Sequence, residues 1–117
     1  MIDIINISLA LFSIFLGFFG WLAPKYTMEV VDLRRGASTM GVSEIRAASG
    51  ALFVGLGVGA IFLGSPVAYA MVGFAWGFAS IGRLTSIIAD EAPTRKTWVF
   101  FLCEAAVGAT LISINLL

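Results

Sequence analysis

Four charged side chains stand within or beside long apolar stretches, and they are the residues of this sequence best suited to chemistry. They are Glu44, Arg46, Arg83 and Glu104. An ionisable group at the centre of a bilayer costs about 2.5–3.5 kcal/mol or more, so such groups tend to pair and to face the protein interior. The planar guanidinium of arginine can hold a carboxylate through two parallel hydrogen bonds. We therefore expect these four side chains to form one intramembrane charge network, with Glu104 as its hub, bonded to Arg46, Arg83 or both.

Three interpretations of this network stay open. In the first, the two arginines extend to lipid phosphates and Glu104 bonds to a nearby hydroxyl, such as that of Thr97 or Ser86. In the second, the cluster is a structural clasp that fixes the register of the helices. In the third, it binds an anionic ligand or relays protons, although the central positions of the apolar stretches offer only a thin chain of polar side chains.

Other site chemistry finds little support in the sequence. There is no histidine and only one cysteine, Cys103, so a zinc, haem or iron–sulfur site would have too few ligands. Without a histidine base, Cys103 is interpreted as a small packing residue rather than a nucleophile. No glycine-rich phosphate loop joins a strand to a helix, and the short basic loops predict no nucleic-acid partner. We expect no catalytic, cofactor-binding or metal-binding residue, and no enzyme activity.

The elements that must position the charges are four apolar runs, each long enough to cross a bilayer. Of the 117 residues, 60% are hydrophobic and 12% are charged, and the mean hydropathy is +1.02, whereas a soluble domain carries roughly 25% charged residues. A spanning helix needs about 20 apolar residues, and the runs lack the alternation of a membrane barrel. The sequence predicts a single transmembrane domain over 1–117, its first run a retained helix rather than a cleaved signal. The predicted helices cover residues 4–23, 43–64, 67–89 and 97–117.

Small residues recur within each run at alternating spacings of four and three. Such a repeat keeps one seam of a helix facing its partner, and small residues let membrane helices approach closely. Bulky aromatic side chains fall mostly elsewhere, toward lipid. The pattern predicts an all-α integral membrane protein, an antiparallel four-helix bundle. Its helix-packing seam is formed by Gly17, Gly20, Gly50, Gly57, Gly73, Gly77 and Gly108, and Gly55 with Gly59 adds a candidate close crossing.

The distribution of charge predicts the orientation in the membrane. With four spans, all seven basic residues lie at or near one side. The positive-inside rule then places loops 25–42 and 90–96 in the cytoplasm and both termini in the periplasm. Trp21, Tyr26 and Trp98 flank the same side, as interfacial aromatic residues do.

The longest connection, residues 25–42, has two interpretations. It is either an irregular polar loop or it contains a short helix lying on the membrane surface. In the second case Met28, Val31 and Leu33 form the apolar edge of the helix and Gly36 ends it.

The charged motifs also carry a resemblance that covers essentially the whole chain. The pattern resembles domain-of-unknown-function family 4345, a family of small bacterial membrane proteins, and it is carried by Ser43-Glu44-Ile45-Arg46-Ala47 with Gly50, by Gly82-Arg83-Leu84 and by Glu104. The resemblance implies four helices, an acidic or amide residue followed by arginine at the start of the second, Gly-Arg late in the third and a glutamate in the fourth. It implies a bacterial inner-membrane location and no known reaction, substrate or cofactor.

The sequence favours one class of function over two others. The first is a small multi-pass membrane protein without catalytic chemistry, which acts as an accessory or structural subunit of a membrane assembly. Its partners would be the lipid bilayer and either copies of itself or a larger membrane protein complex, because little of the chain lies outside the membrane. The alternative is a small transporter or channel component with an intramembrane Arg/Glu binding site. A membrane enzyme acting on lipid is the least favoured, because the usual catalytic groups are missing.

Overall fold

The protein is helical throughout, with short connections and no strand. A computed structural model describes all residues 1–117. The helices are α1 (Ile2–Leu22), α2 (Pro24–Val30), α3 (Met40–Leu63), α4 (Pro66–Ala89) and α5 (Arg95–Leu116). All except α2 are long and apolar enough to cross a membrane. The prediction of an all-α chain with four candidate spans is confirmed.

The ends of the helices follow from residues that break or cap a helix. Pro24 ends α1 because its nitrogen carries no hydrogen, and it starts α2 at a position where proline is tolerated. Gly64 adopts a positive φ of 65° between α3 and α4. Ser65 then caps α4 by accepting the Ala68 N–H at 3.2 Å, and Thr94 caps α5 in the same way.

The chain divides into two compact units. In the unit Ile7–Phe62, α1 and α3 run antiparallel, because Gly20 lies against Ser49 while Ala10 lies against Gly57. A methyl group at Gly20 or at Gly50 would collide with the backbone of the opposite helix. Glycine at these positions therefore allows the two backbones to touch.

The second unit consists of Met1–Asn6 and Leu63–Leu117, and its main feature is the antiparallel pair of α4 and α5. Gly73 faces Leu111, and a Cβ at Gly73 would lie 2.8 Å from the Leu111 Cβ. Closer to the 90–94 connection, Gly108 packs against Gly77. This hairpin uses the same small-residue contact as the pair of α1 and α3.

The pattern of burial is the inverse of that in a soluble domain. On α1, the buried positions after the first turn are small or polar residues that recur at the predicted spacings of four and three, namely Asn6, Ala10, Ser13, Gly17 and Gly20. Large apolar side chains point outward, with Phe15 59%, Phe62 86% and Phe78 63% exposed. Lipid tails solvate such side chains, so their exposure is consistent with a membrane environment.

The 25–42 connection contains the short helix that was one of its two interpretations. Helix α2 buries Met28 and ends at Val30, well before Gly36. The chain then turns at Asp32, whose φ is 60°. Leu33 is 51% exposed, so the apolar edge of this helix is shorter than predicted.

Candidate functional site

Arg83 on α4 and Glu104 on α5 form a bidentate ion pair. The Nε and Nη2 atoms of Arg83 donate to Oε1 and Oε2 of Glu104, each at 3.0 Å. The side chain of Glu104 is 13% exposed and that of Arg83 is 35% exposed. Each carboxylate oxygen therefore accepts a hydrogen bond from the same guanidinium, which is the geometry that makes such pairs both strong and directional.

An aromatic ring completes the surroundings of this pair. The Cζ atom of Arg83 lies 5.3 Å from the centre of the Phe100 ring. Phe100 precedes Glu104 by four residues, so both side chains lie on the same face of α5. Since the ring face carries partial negative charge, Phe100 adds a cation–π contact to the guanidinium that Glu104 holds.

Glycine contacts set the distance across which the ion pair forms. A Cβ at Gly108 would lie 2.6 Å from both the Cα and the N atom of Gly77. Gly108 is one helical turn from Glu104, so close backbone contact there brings α5 within reach of Arg83. A longer separation between the helices would leave the guanidinium unable to reach both carboxylate oxygens.

Arg46, one of the two arginines that Glu104 was predicted to bond, has a partner on α1. Its side chain is exposed, and its Nη1 atom donates to the carbonyl oxygen of Trp21 at 2.7 Å. Trp21 belongs to the last turn of α1, where carbonyl groups lose their intrahelical partners. A cation that bonds such a carbonyl also interacts favourably with the negative end of the helix dipole. Arg46 thus caps α1.

Arg46 and Gly50 both lie toward the last turn of α1. The guanidinium of Arg46 reaches the Trp21 carbonyl, and a Cβ at Gly50 would collide with the backbone of Trp21. Between them, residues Ala47–Ala51 form a π-helical turn. Arg46 therefore continues the face of α3 that meets α1 and extends past it to the exposed end of that helix.

Glu44 takes no part in an ion pair. Its side chain is exposed on the first turns of α3, and the ion pair of Arg83 with Glu104 does not include it. Of the four charged residues predicted to form a network, Arg83 and Glu104 form an ion pair. Arg46 bonds to the carbonyl at the end of α1, and Glu44 is exposed.

Two asparagines from opposite ends of the sequence form a second polar contact. Asn6 donates to the Oδ1 atom of Asn115 at 2.8 Å, and Asn115 donates back to Asn6 at 2.7 Å. Asn6 is 2% exposed. Both residues continue the spacing of four and three within their apolar runs, but their pairing was not predicted from the sequence. The signal was available, because the two are the only amide side chains in the chain.

An open groove lies beside the capping arginine, and we call it the Arg46 groove. Its volume is about 570 Å³. Its polar part is formed by Thr39, Ser43 and Arg46, and its apolar part includes Trp21, Ala47 and Ala51. All of these residues belong to the unit Ile7–Phe62. The π turn Ala47–Ala51 lies along the apolar part of the groove.

The fold and these contacts define a class, namely small helical proteins with four candidate spans, two of which are joined by a bidentate ion pair. The family model described as Domain of unknown function (DUF4345) matches residues 1–114, and the chain therefore belongs to this family. No curated protein and no solved structure gives a match.

Proposed function

We propose that this chain is a non-catalytic, multi-pass protein of the bacterial inner membrane that serves as an accessory or structural subunit of a membrane assembly. The observation that carries the proposal is the closed ion pair of Arg83 and Glu104, in which both carboxylate oxygens are engaged by one guanidinium. Two opposite charges joined by two parallel hydrogen bonds hold the two helices in register. The pair thus supports the clasp interpretation.

A face of α3 offers a surface for assembly. It is formed by Leu52, Gly55, Gly59 and Phe62, and we call it the α3 outer face. A Cβ at Gly55 or Gly59 would meet no atom within 4 Å, whereas Leu52 is 55% and Phe62 86% exposed. Two glycines four residues apart between larger side chains make a notch into which another membrane helix can pack. The glycines of the buried seam are already occupied by the chain's own helices, so this notch is free for a second copy or a partner subunit.

The orientation we propose places loops 25–42 and 90–96 in the cytoplasm and both termini in the periplasm. The support is the position of the basic residues, which cluster in and beside these two loops. Helix α2 and the Arg46 groove would then lie at the cytoplasmic surface of the membrane.

Assembly is tested by co-purification of two differently tagged copies, and by crosslinking in native membranes followed by mass spectrometry. We expect the wild-type chain to be recovered with a second copy or a partner subunit in a fixed ratio. Leucine at both Gly55 and Gly59 fills the notch and should abolish that recovery. Gly82→Leu is the matched control, since Gly82 is also an exposed glycine of a long helix with no atom near its Cβ position. A wild-type monomer without partners, or full recovery with the notch filled, would overturn the proposal.

The second candidate is a small transporter or channel component, and it rests on the 35% exposure of the Arg83 side chain. A guanidinium that remains partly reachable can exchange its carboxylate partner for an anionic substrate. Glu104→Gln separates the two functions. If the ion pair is a structural clasp, the Glu104→Gln variant should have lower abundance or thermal stability than the wild type. If it is a transport site, the variant should be as abundant as the wild type but should no longer transport its substrate.

A further inference from the structure

The Arg46 groove contains a cation with no anionic partner. Arg46 forms no salt bridge, and no carboxylate is present among the residues that line the groove. The Trp21 carbonyl engages one N–H of the guanidinium, while an arginine has five such donors. A charge in a membrane-spanning helix calls for a counter-charge, and here the chain does not supply one.

The groove changes from polar to apolar along α3. Thr39, just before α3, and Ser43, Arg46, Ala47 and Ala51 within it all line the groove, so they share one face. Hydroxyl and guanidinium groups stand at the end near the start of the helix, and methyl groups of alanine stand further along it.

We propose that the Arg46 groove binds one anionic phospholipid, with its phosphate at the Arg46 guanidinium and the Ser43 hydroxyl and an acyl chain along Ala47 and Ala51. Arginine suits a phosphate because its planar fork can donate two parallel hydrogen bonds to two phosphate oxygens. Trp21 forms part of the wall of the groove, and indole rings favour the level of the lipid headgroups.

The apolar half of the groove favours a lipid over free phosphate. Inorganic phosphate would need polar partners on several sides, and Ala47 and Ala51 offer none. The methyl groups of these residues leave room that an acyl chain can fill. The π turn of Ala47–Ala51 forms part of this floor, and such turns are frequent at functional sites.

The test measures lipid retention by native mass spectrometry of the full chain in mild detergent, with phosphatidylglycerol, phosphatidylcholine and inorganic phosphate as probes. We expect one phosphatidylglycerol per wild-type chain and weaker retention of phosphatidylcholine, whose headgroup carries a compensating positive charge. Arg46→Gln should weaken phosphatidylglycerol binding about tenfold or more, as expected for the loss of charge-assisted hydrogen bonds. Arg34→Gln is the matched control, because it removes one positive charge from an exposed loop position and should leave binding unchanged.

A second pair of variants keeps the arginine and its bond to Trp21. Ala51→Leu fills the apolar half of the groove and should weaken phosphatidylglycerol binding, whereas Ala48→Leu adds the same bulk to an exposed neighbour that does not line the groove. These variants carry the test if Arg46→Gln fails to fold. Equal phosphatidylglycerol binding in wild type, Arg46→Gln and Ala51→Leu would overturn the proposal. So would full competition by inorganic phosphate with no effect of Ala51→Leu, which would identify a site for the free anion.

Discussion

Arg83 holds both carboxylate oxygens of Glu104, each at 3.0 Å from a guanidinium nitrogen, across the antiparallel pair of α4 and α5. The two residues lie toward the connection that joins these helices, while Gly73 and Leu111 meet further from it. An ion pair with two parallel bonds is satisfied in only one alignment of the helices. Glycine packing brings the helices together, and the ion pair fixes how far one is shifted along the other.

Loss of this ion pair should lower the stability of the protein. Glu104→Gln removes the charge with little change of shape and leaves Arg83 without its counter-ion. We expect a loss of about 1.5–3 kcal/mol in the free energy of unfolding, the range for hydrogen bonds to charged groups, and toward the lower end because Arg83 is partly exposed. Chemical or thermal unfolding in a fixed detergent measures this loss.

A double-mutant cycle with Arg83→Gln isolates the pair itself. The double variant should be less destabilised than the sum of the single variants, with a coupling energy of about 0.5–3 kcal/mol. Arg95→Gln, at the exposed start of α5, is the control and should change stability by less than about 0.5 kcal/mol. Strictly additive effects would mean that the two side chains do not stabilise one another.

The two glycines at the contact of α4 and α5 should respond differently to alanine. A Cβ at Gly108 would lie 2.6 Å from the backbone of Gly77, whereas a Cβ at Gly77 would lie 3.9 Å from its nearest neighbour, the Gly108 Cα. Gly108→Ala should therefore cost about 1–3 kcal/mol, as overpacking does. Gly77→Ala should stay within about 0.5 kcal/mol of wild type.

Thermal unfolding of both alanine variants in the same detergent gives the comparison. Each serves as the control for the other, because the change in composition is identical and the positions face one another. Equal destabilisation of the two would show that the asymmetry of the contact has no energetic effect.

The reciprocal amide contact should contribute a modest coupling energy. Asn6 and Asn115 exchange two hydrogen bonds at 2.8 and 2.7 Å. Measured side-chain hydrogen bonds between membrane helices average about 0.6 kcal/mol and reach about 1.7 kcal/mol. We expect a coupling energy in this range from a cycle of Asn6→Leu and Asn115→Leu, with the double leucine variant more stable than either single one. A single variant as stable as the double would contradict this, since the remaining amide would have lost its side-chain partner at no cost.

Much of the architecture could be predicted from the sequence because small residues repeat regularly. On α1, the positions from Asn6 to Gly20 that the spacing of three and four selects are buried. The same regularity could not show that Arg46 bonds to the Trp21 carbonyl, because spacing selects a face of a helix and not a partner. It also could not predict the π-helical turn at Ala47–Ala51. Nothing in the letters AASGA distinguishes that turn from the α-helical turns beside it.

The partners of the polar side chains were harder to predict than their positions. Glu104 was expected to pair with Arg46, Arg83 or both, and the pair with Arg83 is the one present in the structure. The reason is geometric, since Arg83 and Glu104 lie on helices joined by a short connection and meet one turn from a glycine contact. The role of Arg46 depends on where α1 ends, and Pro24 creates the unpaired carbonyl groups there.

The orientation of the chain gives the last prediction, which concerns labelling with a membrane-impermeant maleimide. In a Cys103→Ser background, single cysteines are introduced as Ala37→Cys, Glu91→Cys and Leu117→Cys, all at exposed positions. Because the basic residues of loops 25–42 and 90–96 should stay in the cytoplasm, the cysteines at 37 and 91 should react only after spheroplasts are permeabilised. The cysteine at 117 should react in intact spheroplasts, and the Cys103→Ser parent controls for background. The reverse pattern would place both charged loops, and the Arg46 groove with them, on the periplasmic side.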